Sequence, residues 1–244
     1  MTREIIFAAI CLLTTASAWA QSAPTGTPTI LNVSQIFVPP GFDNNDNVQV
    51  ILRSNVPNTC YKISNPISHV DLATQTIYVA AQGFRTAGEF CGEIFIVFNQ
   101  TVNLGRLPSG DYKVVQIKPD GTEGTQAELT VATAKPTWTE DNLYASVDQA
   151  FVDTSTGTPV VRLVGTLPSP CFAMQEIHVL HRAAHIVEVL PVMAPVTTQD
   201  QMASCSGKPV PFDVTETLPA VEPGAWLLYT RSINGQSLVN VQAF

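Results

Sequence analysis

Apolar and polar positions alternate along this chain in short runs, and turn residues separate the runs. The spacing predicts strands at Ile30 to Val38, Val48 to Arg53, Tyr61 to Val70, Thr76 to Ala81, Glu93 to Phe98, Asp111 to Ile117 and Ala127 to Ala132. A second set is expected near Ala145 to Val152, Val160 to Val164, Phe172 to His181, His185 to Leu190, Val210 to Val214, Ala225 to Arg231 and Ser237 to Ala243. Between them stand Pro39-Pro40-Gly41, Val56-Pro57-Asn58, Pro108-Ser109-Gly110 and Asp120-Gly121, which supply the fixed or positive φ values that tight turns need. No stretch sustains a 3.6-residue period with caps, so no helix longer than a turn or two is expected.

The two sets are copies of one another. Cys91 to Gly121 is written again 114 positions later, from Cys205 to Gly235. In that register Cys91 meets Cys205, Phe98 meets Phe212, Leu104 meets Leu218, Gly110 meets Gly224, Tyr112 meets Trp226, and Asp120-Gly121 meets Asn234-Gly235. Upstream, Phe37-Val38 matches Phe151-Val152, and Val56-Pro57-Asn58-Thr59-Cys60 matches Leu167-Pro168-Ser169-Pro170-Cys171, with the intervening loop three residues shorter in the second copy. A duplication of about 100 residues with seven or so strands per copy predicts an all-β protein of two tandem β-sandwich domains. The matched types are a cysteine, apolar anchors, a glycine before an aromatic and a turn dipeptide, all with structural roles.

The chain opens with a basic Arg3, an apolar run from Ile5 to Leu13 and the small-x-small sequence Ala18-Trp19-Ala20, which reads as a secretory signal peptide over residues 1–20. Residues 21–29, rich in Pro, Gly and Thr, form a flexible leader; the first repeat covers 30–132, a linker 133–142 and the second repeat 143–244. Trp138 in the linker is expected to pack against one or both repeats. Net charge is −8, and the Lys and Arg residues are scattered singly, which argues against nucleic acid and anionic membranes as partners. No other stretch is long and apolar enough to suggest membrane insertion.

In an exported chain the four cysteines after the signal imply bridges. Because a duplicated domain carries its own bridge, the pairs expected are Cys60 with Cys91 and Cys171 with Cys205. Each repeat is then tied by one disulfide.

Candidate chemistry is sparse. There is no Gly-x-Ser-x-Gly elbow, phosphate loop or His-Glu-x-x-His, so no catalytic residue is expected and no cofactor is assigned. Asp43 to Asn47 begins like a calcium loop, but Val48 stands where glycine is needed and Ser54 where a bidentate Glu is needed. Metal-ligand types concentrate between the second pair of cysteines: His178, His181 and His185 with Met174, Met193 and Met202. Imidazole and thioether suit copper, and imidazole suits zinc. A hairpin over the same residues places 178 and 181 on opposite faces, and that is the favoured expectation.

Leu107-Pro108-Ser109-Gly110-Asp111-Tyr112 and Val221-Glu222-Pro223-Gly224-Ala225-Trp226 carry an apolar-x-x-Gly-x-aromatic turn into a strand. This resembles the signature of many bacterial secreted immunoglobulin-like and fibronectin-like domains. The resemblance implies a non-catalytic role in binding, adhesion or spacing, and with the signal peptide this gives a secreted or periplasmic protein with a protein or cell surface as partner. Two alternatives stand beside it: inhibition of secreted proteases or hydrolases through rigid loops such as Asn55 to Thr59 or Gly165 to Pro170, and copper or zinc handling through the His/Met segment.

Overall fold

The computed structural model describes residues 26–86, 90–134, 143–155, 158–182, 185–196, 205, 207–218 and 220–243. The signal-peptide, Trp138 and Met202 readings lie outside them. The first repeat is built from β1 (Thr27–Leu31), β2 (Val33–Phe37), β3 (Phe42–Asp43), β4 (Val48–Val56), β5 (Tyr61–Ile63), β6 (Ile67–Asp71), β7 (Thr76–Arg85), β8 (Ile96–Gly105), β9 (Gly110–Ile117) and β10 (Glu123–Ala132). The second comprises β11 (Ser146–Asp153), β12 (Val160–Leu167), β13 (Phe172–Arg182), β14 (Ile186–Pro195), β15 (Val210–Thr217), β16 (Ala225–Arg231) and β17 (Ser237–Ala243), with one short 3-10 turn at Ile233–Gly235.

Each repeat is a β-sandwich. A three-stranded sheet, β2-β4-β8 or β11-β12-β15, faces a larger one built on β6-β7-β9-β10 or β13-β14-β16-β17. The chain leaves β7 for β8 in the opposite sheet and returns to β9, so β7 and β9 run parallel; β14 and β16 do the same through β15. In this the sandwiches depart from the two antiparallel sheets of an immunoglobulin domain.

The duplication holds to the level of register. Val56 pairs with Ile96 and Leu167 with Val210, the equivalent residues of the two copies. The bulge between Val33 and Gln35 recurs between Val147 and Gln149. Two expected strands are broken: Ile30 to Val38 divides into β1 and β2 at Asn32, and Tyr61 to Val70 into β5 and β6 around Pro66. Proline has no N–H to give the ladder, which explains the second break. The strand expected at Glu93 to Phe98 instead spans Ile96–Gly105.

The aromatic after the repeated glycine is buried in both copies and anchored in the same way. Tyr112 Oη donates to the Pro108 carbonyl at 2.8 Å, and Trp226 Nε1 donates to the Glu222 carbonyl at 2.8 Å, each four residues back. Gly110 and Gly224 have φ of 156° and 147°. L side chains rarely adopt such positive φ values, so both turns favour glycine.

The repeats stack sheet on sheet. One continuous core joins Phe37, Ile51 and their neighbours in the first repeat to Ile186, Leu227 and Tyr229 in the second, with Val239 and Val241 packed against it. Gln49 of β4 reaches across: its Oε1 accepts from Ser237 Oγ at 2.6 Å and lies 3.5 Å from Tyr229 Oη. Burial pushes the Tyr229 phenol above its ordinary value, so it stays neutral there. Thus β14-β16-β17 is covered on both faces, since Val187, Val189, Trp226 and Leu228 fill the core of its own sandwich.

Arg231 closes the junction. Its guanidinium lies 3.4 Å from Glu188 Oε1 and 3.8 Å from Asp46 Oδ2, donates at 3.1 Å to the carbonyls of both Pro40 and Gly41, and sits over the Phe42 ring at 4.9 Å. Arg182 adds a second contact to Glu188 at 3.0 Å. Stacking cannot propagate by the same contacts. Where Ile51 meets the second repeat, the equivalent residue of that repeat is Arg162, held by Asp213 at 2.6 Å, and the equivalent of Leu227 in the first is Lys113. Polar outer faces cap a two-unit array.

Candidate interaction edge of the first repeat

Both bridges form as the repeat requires, Cys60 with Cys91 and Cys171 with Cys205. They close loops with sequence separations of 31 and 34. Replacing Cys91 by serine is expected to cost about 3.5 kcal/mol on the chain-entropy model, read as a fall in the denaturant midpoint.

The first bridge holds an apolar segment at the surface. Thr59 donates its amide to the Gly92 carbonyl at 3.1 Å, Gly92 donates to Thr59 Oγ1 at 2.9 Å, and the Thr86 amide donates to the Cys60 carbonyl at 2.9 Å. From this tie runs Phe90, 98 % exposed, then Ile94 at 60 %, Phe95 at 66 % and Val97 at 46 %. Ile63 and Ile67, on β5 and β6 of the facing sheet, are exposed large apolar residues as well. Among the described residues β8 pairs with β4 alone, so its other edge carries no strand.

The second copy serves as an internal control. In place of Ile94, Phe95 and Val97 it has Lys208, Pro209 and Pro211. Charge and proline at an edge strand are the devices that keep sheet edges from pairing with other chains. The prolines also fix a direction. Pro211 lies within β15, opposite Thr166 of β12, without breaking the ladder. A proline tolerated there has its nitrogen toward the open edge. Its equivalent Val97 lies opposite Asn55 of β4 in the same register, so the Val97 amide also faces the open edge. Alternation gives Asn99 and Thr101 the same direction.

A further oddity marks this side. Gln100, 5 % exposed, donates Nε2 to the carbonyls of Ser64 and Gln82 across the gap between β8 and the other sheet, leaving its Oε1 buried without a partner. The equivalent residue in the second repeat is Val214, packed on an apolar core.

The histidine and methionine residues are spread along one hairpin. Met174 pairs with Met193 near one end and His181 with Val187 near the other, about 23 Å apart along β13. His178 pairs with Leu190 and lies 3.4 Å from Glu176, on the face opposite His181. His181 and His185 both pack edge-on to Trp226, with ring centroids 4.6 and 4.8 Å from the indole. His185 has φ of 60°, as Gln75 has 50° at the equivalent hairpin end, and the carbonyls of the two accept from the amides of Leu227 and Lys113 on the neighbouring strand, each at 2.9 Å. Among the described residues no three His, Cys, Asp or Glu side chains converge on one point. Of the two loops considered for inhibition, Gly165 to Leu167 belong to β12 and Asn55-Val56 to β4, leaving short turns.

The exposed edge was missed in the run of alternating residues because Glu93 to Phe98 reads as an ordinary strand. The comparison of Ile94-Phe95-Ile96-Val97 with Lys208-Pro209-Val210-Pro211 held the signal. Among the described residues no helix is long and apolar enough to cross a membrane.

A family model described as the ORF11 beta-sandwich domain matches residues 50–131, a third of the chain running from β4 to β10 of the first repeat. That match and the structure agree on a β-sandwich. No curated protein and no solved structure matched the chain.

Proposed function

We propose that the protein is a secreted or periplasmic, non-catalytic tandem β-sandwich that acts as a binding module, with Phe90 to Val97 of the first repeat as its contact surface. One observation carries this reading. Four large apolar side chains stand in water on a disulfide-tied segment, where the second copy of the same segment has lysine and two prolines. Burying each such side chain is worth about 1.5–3 kcal/mol. A chain that protects one edge and leaves its twin apolar forgoes that stabilisation until a partner covers the twin. The two bridges fit an oxidising compartment. The resemblance to immunoglobulin-like and fibronectin-like domains supports a role in binding or adhesion rather than chemistry.

The test is a pull-down from the native host with the purified protein and its Phe95→Asp variant as baits. A partner retained by the first and lost from the second is the expected result. Identical captured proteins on both would sink this assignment of the surface.

A further inference from the structure

We infer that the partner this edge fits is a second copy of the chain, joined by antiparallel pairing of one β8 with the other about a two-fold axis near Val97. The inference rests on the reading of Phe90 to Val97 as the contact surface and names its occupant. From Ile94 to Gly105 the segment carries no charge and no proline, which is the composition of a strand able to pair with itself. In an antiparallel ladder a hydrogen-bonded pair needs the amides of both residues to face the partner. Val97, Asn99 and Thr101 satisfy this, and centring the pair on Val97 sets Phe95 opposite Asn99 and Val97 opposite its own counterpart. The intervening pairs then place Ile96 opposite Phe98 and Ile94 opposite Gln100. Apolar side chains meet apolar ones through the centre.

Charge permits the same register. The acid nearest the segment is Glu93, which falls opposite Thr101 of the other copy, so no like charges are set face to face despite the net charge of −8. Closure also favours it. The two three-stranded sheets β2-β4-β8 merge into one of six strands, and a two-fold contact consumes the open β8 edge of each copy. The matching edge of the second repeat, β15, is blocked by Lys208, Pro209 and Pro211, so the assembly ends at two copies rather than growing into a fibre.

The duplication supplies the variants, since the second repeat carries these residues at the equivalent positions. Phe95→Pro with Val97→Pro writes the second repeat's residues into the first, removing two outward amides where β15 keeps its ladder without them. Ile94→Lys does the same for the side chain and leaves the backbone donors in place. Sedimentation equilibrium of the purified full protein is expected to give a dimer. The double proline variant is expected to be monomeric with an unchanged melting temperature, and Ile94→Lys to weaken the dimer by about a hundredfold. If the proline variant fails to fold, Ile94→Lys decides alone.

A wild-type protein that stays monomeric would overturn the inference, as would a folded proline variant that dimerises as strongly as the parent. Either variant result is independent of the pull-down. A monomeric protein that still loses a captured host protein on Phe95→Asp would refute the second copy while leaving the segment as a contact surface; loss of neither dimer nor capture on substitution would remove both.

Discussion

Replacing Trp226 by alanine is expected to destabilise the protein by about 3–5 kcal/mol, and Tyr112→Ala by a similar amount. Both side chains are 3 % exposed, and each is the anchor of one sandwich core. The loss has two parts: transfer of a large aromatic body out of the core, and a Pro108 or Glu222 carbonyl deprived of its donor. Tyr112→Phe separates them, because it keeps the body and removes only the hydroxyl; its cost should be about 0.5–1.5 kcal/mol. Urea titration followed by fluorescence and circular dichroism measures all three variants. A change below about 1 kcal/mol for either alanine variant would mean that the shared anchor does not support its sandwich.

Arg231→Ala should cost about 3–5 kcal/mol, a value set less by the bond lost than by the charge left behind. Glu188 has a side chain only 4 % exposed, and Arg231 one only 13 % exposed. Without the guanidinium, Glu188 keeps Arg182 on its more open side and loses its partner in the junction. The same variant deprives the carbonyls of Pro40 and Gly41 of their donor and removes a cation from the Phe42 ring, so the two repeats should uncouple. Unfolding is then expected to split into two transitions where one is expected for the parent. Replacing both Arg231 and Glu188 by apolar residues of similar volume should recover most of the loss, since neither charge is then stranded. A single unchanged transition in Arg231→Ala would show that the apolar stack alone joins the repeats.

The positions of most strands were legible because their signals are local. Alternation marks a half-buried strand, and Pro39-Pro40-Gly41, Asp120-Gly121 and Asn234-Gly235 mark where chains turn. The bridges were legible for a different reason: a copied unit must close on itself, and copying leaves each cysteine its own partner. The shift of β8 toward Gly105 was not legible, because Asn99 and Asn103 are weak strand formers in a mostly polar run that pairs because β4 lies beside it. Alternation already set His178 and His181 on opposite faces, whereas the register that pairs Met174 with Met193 at the far end of the β13–β14 hairpin came from the fold.

By itself the amino-acid sequence determined an all-β chain of two copied sandwiches, each with its own disulfide and a glycine-led aromatic anchor. Alternation, turn chemistry and repetition act between neighbours or between copies, and they need no knowledge of what packs where. Only the tertiary structure decided which faces are covered. Ile51 and Arg162 occupy the same place in their repeats, yet one is buried under a second sheet and the other stands in water. Ile94, Phe95 and Val97 read as part of an ordinary strand, yet they line an edge that no strand in the described residues covers. Burial is a relation between distant parts of the chain, so a run of apolar residues states the need for cover and the packing of the whole molecule determines whether that need is met.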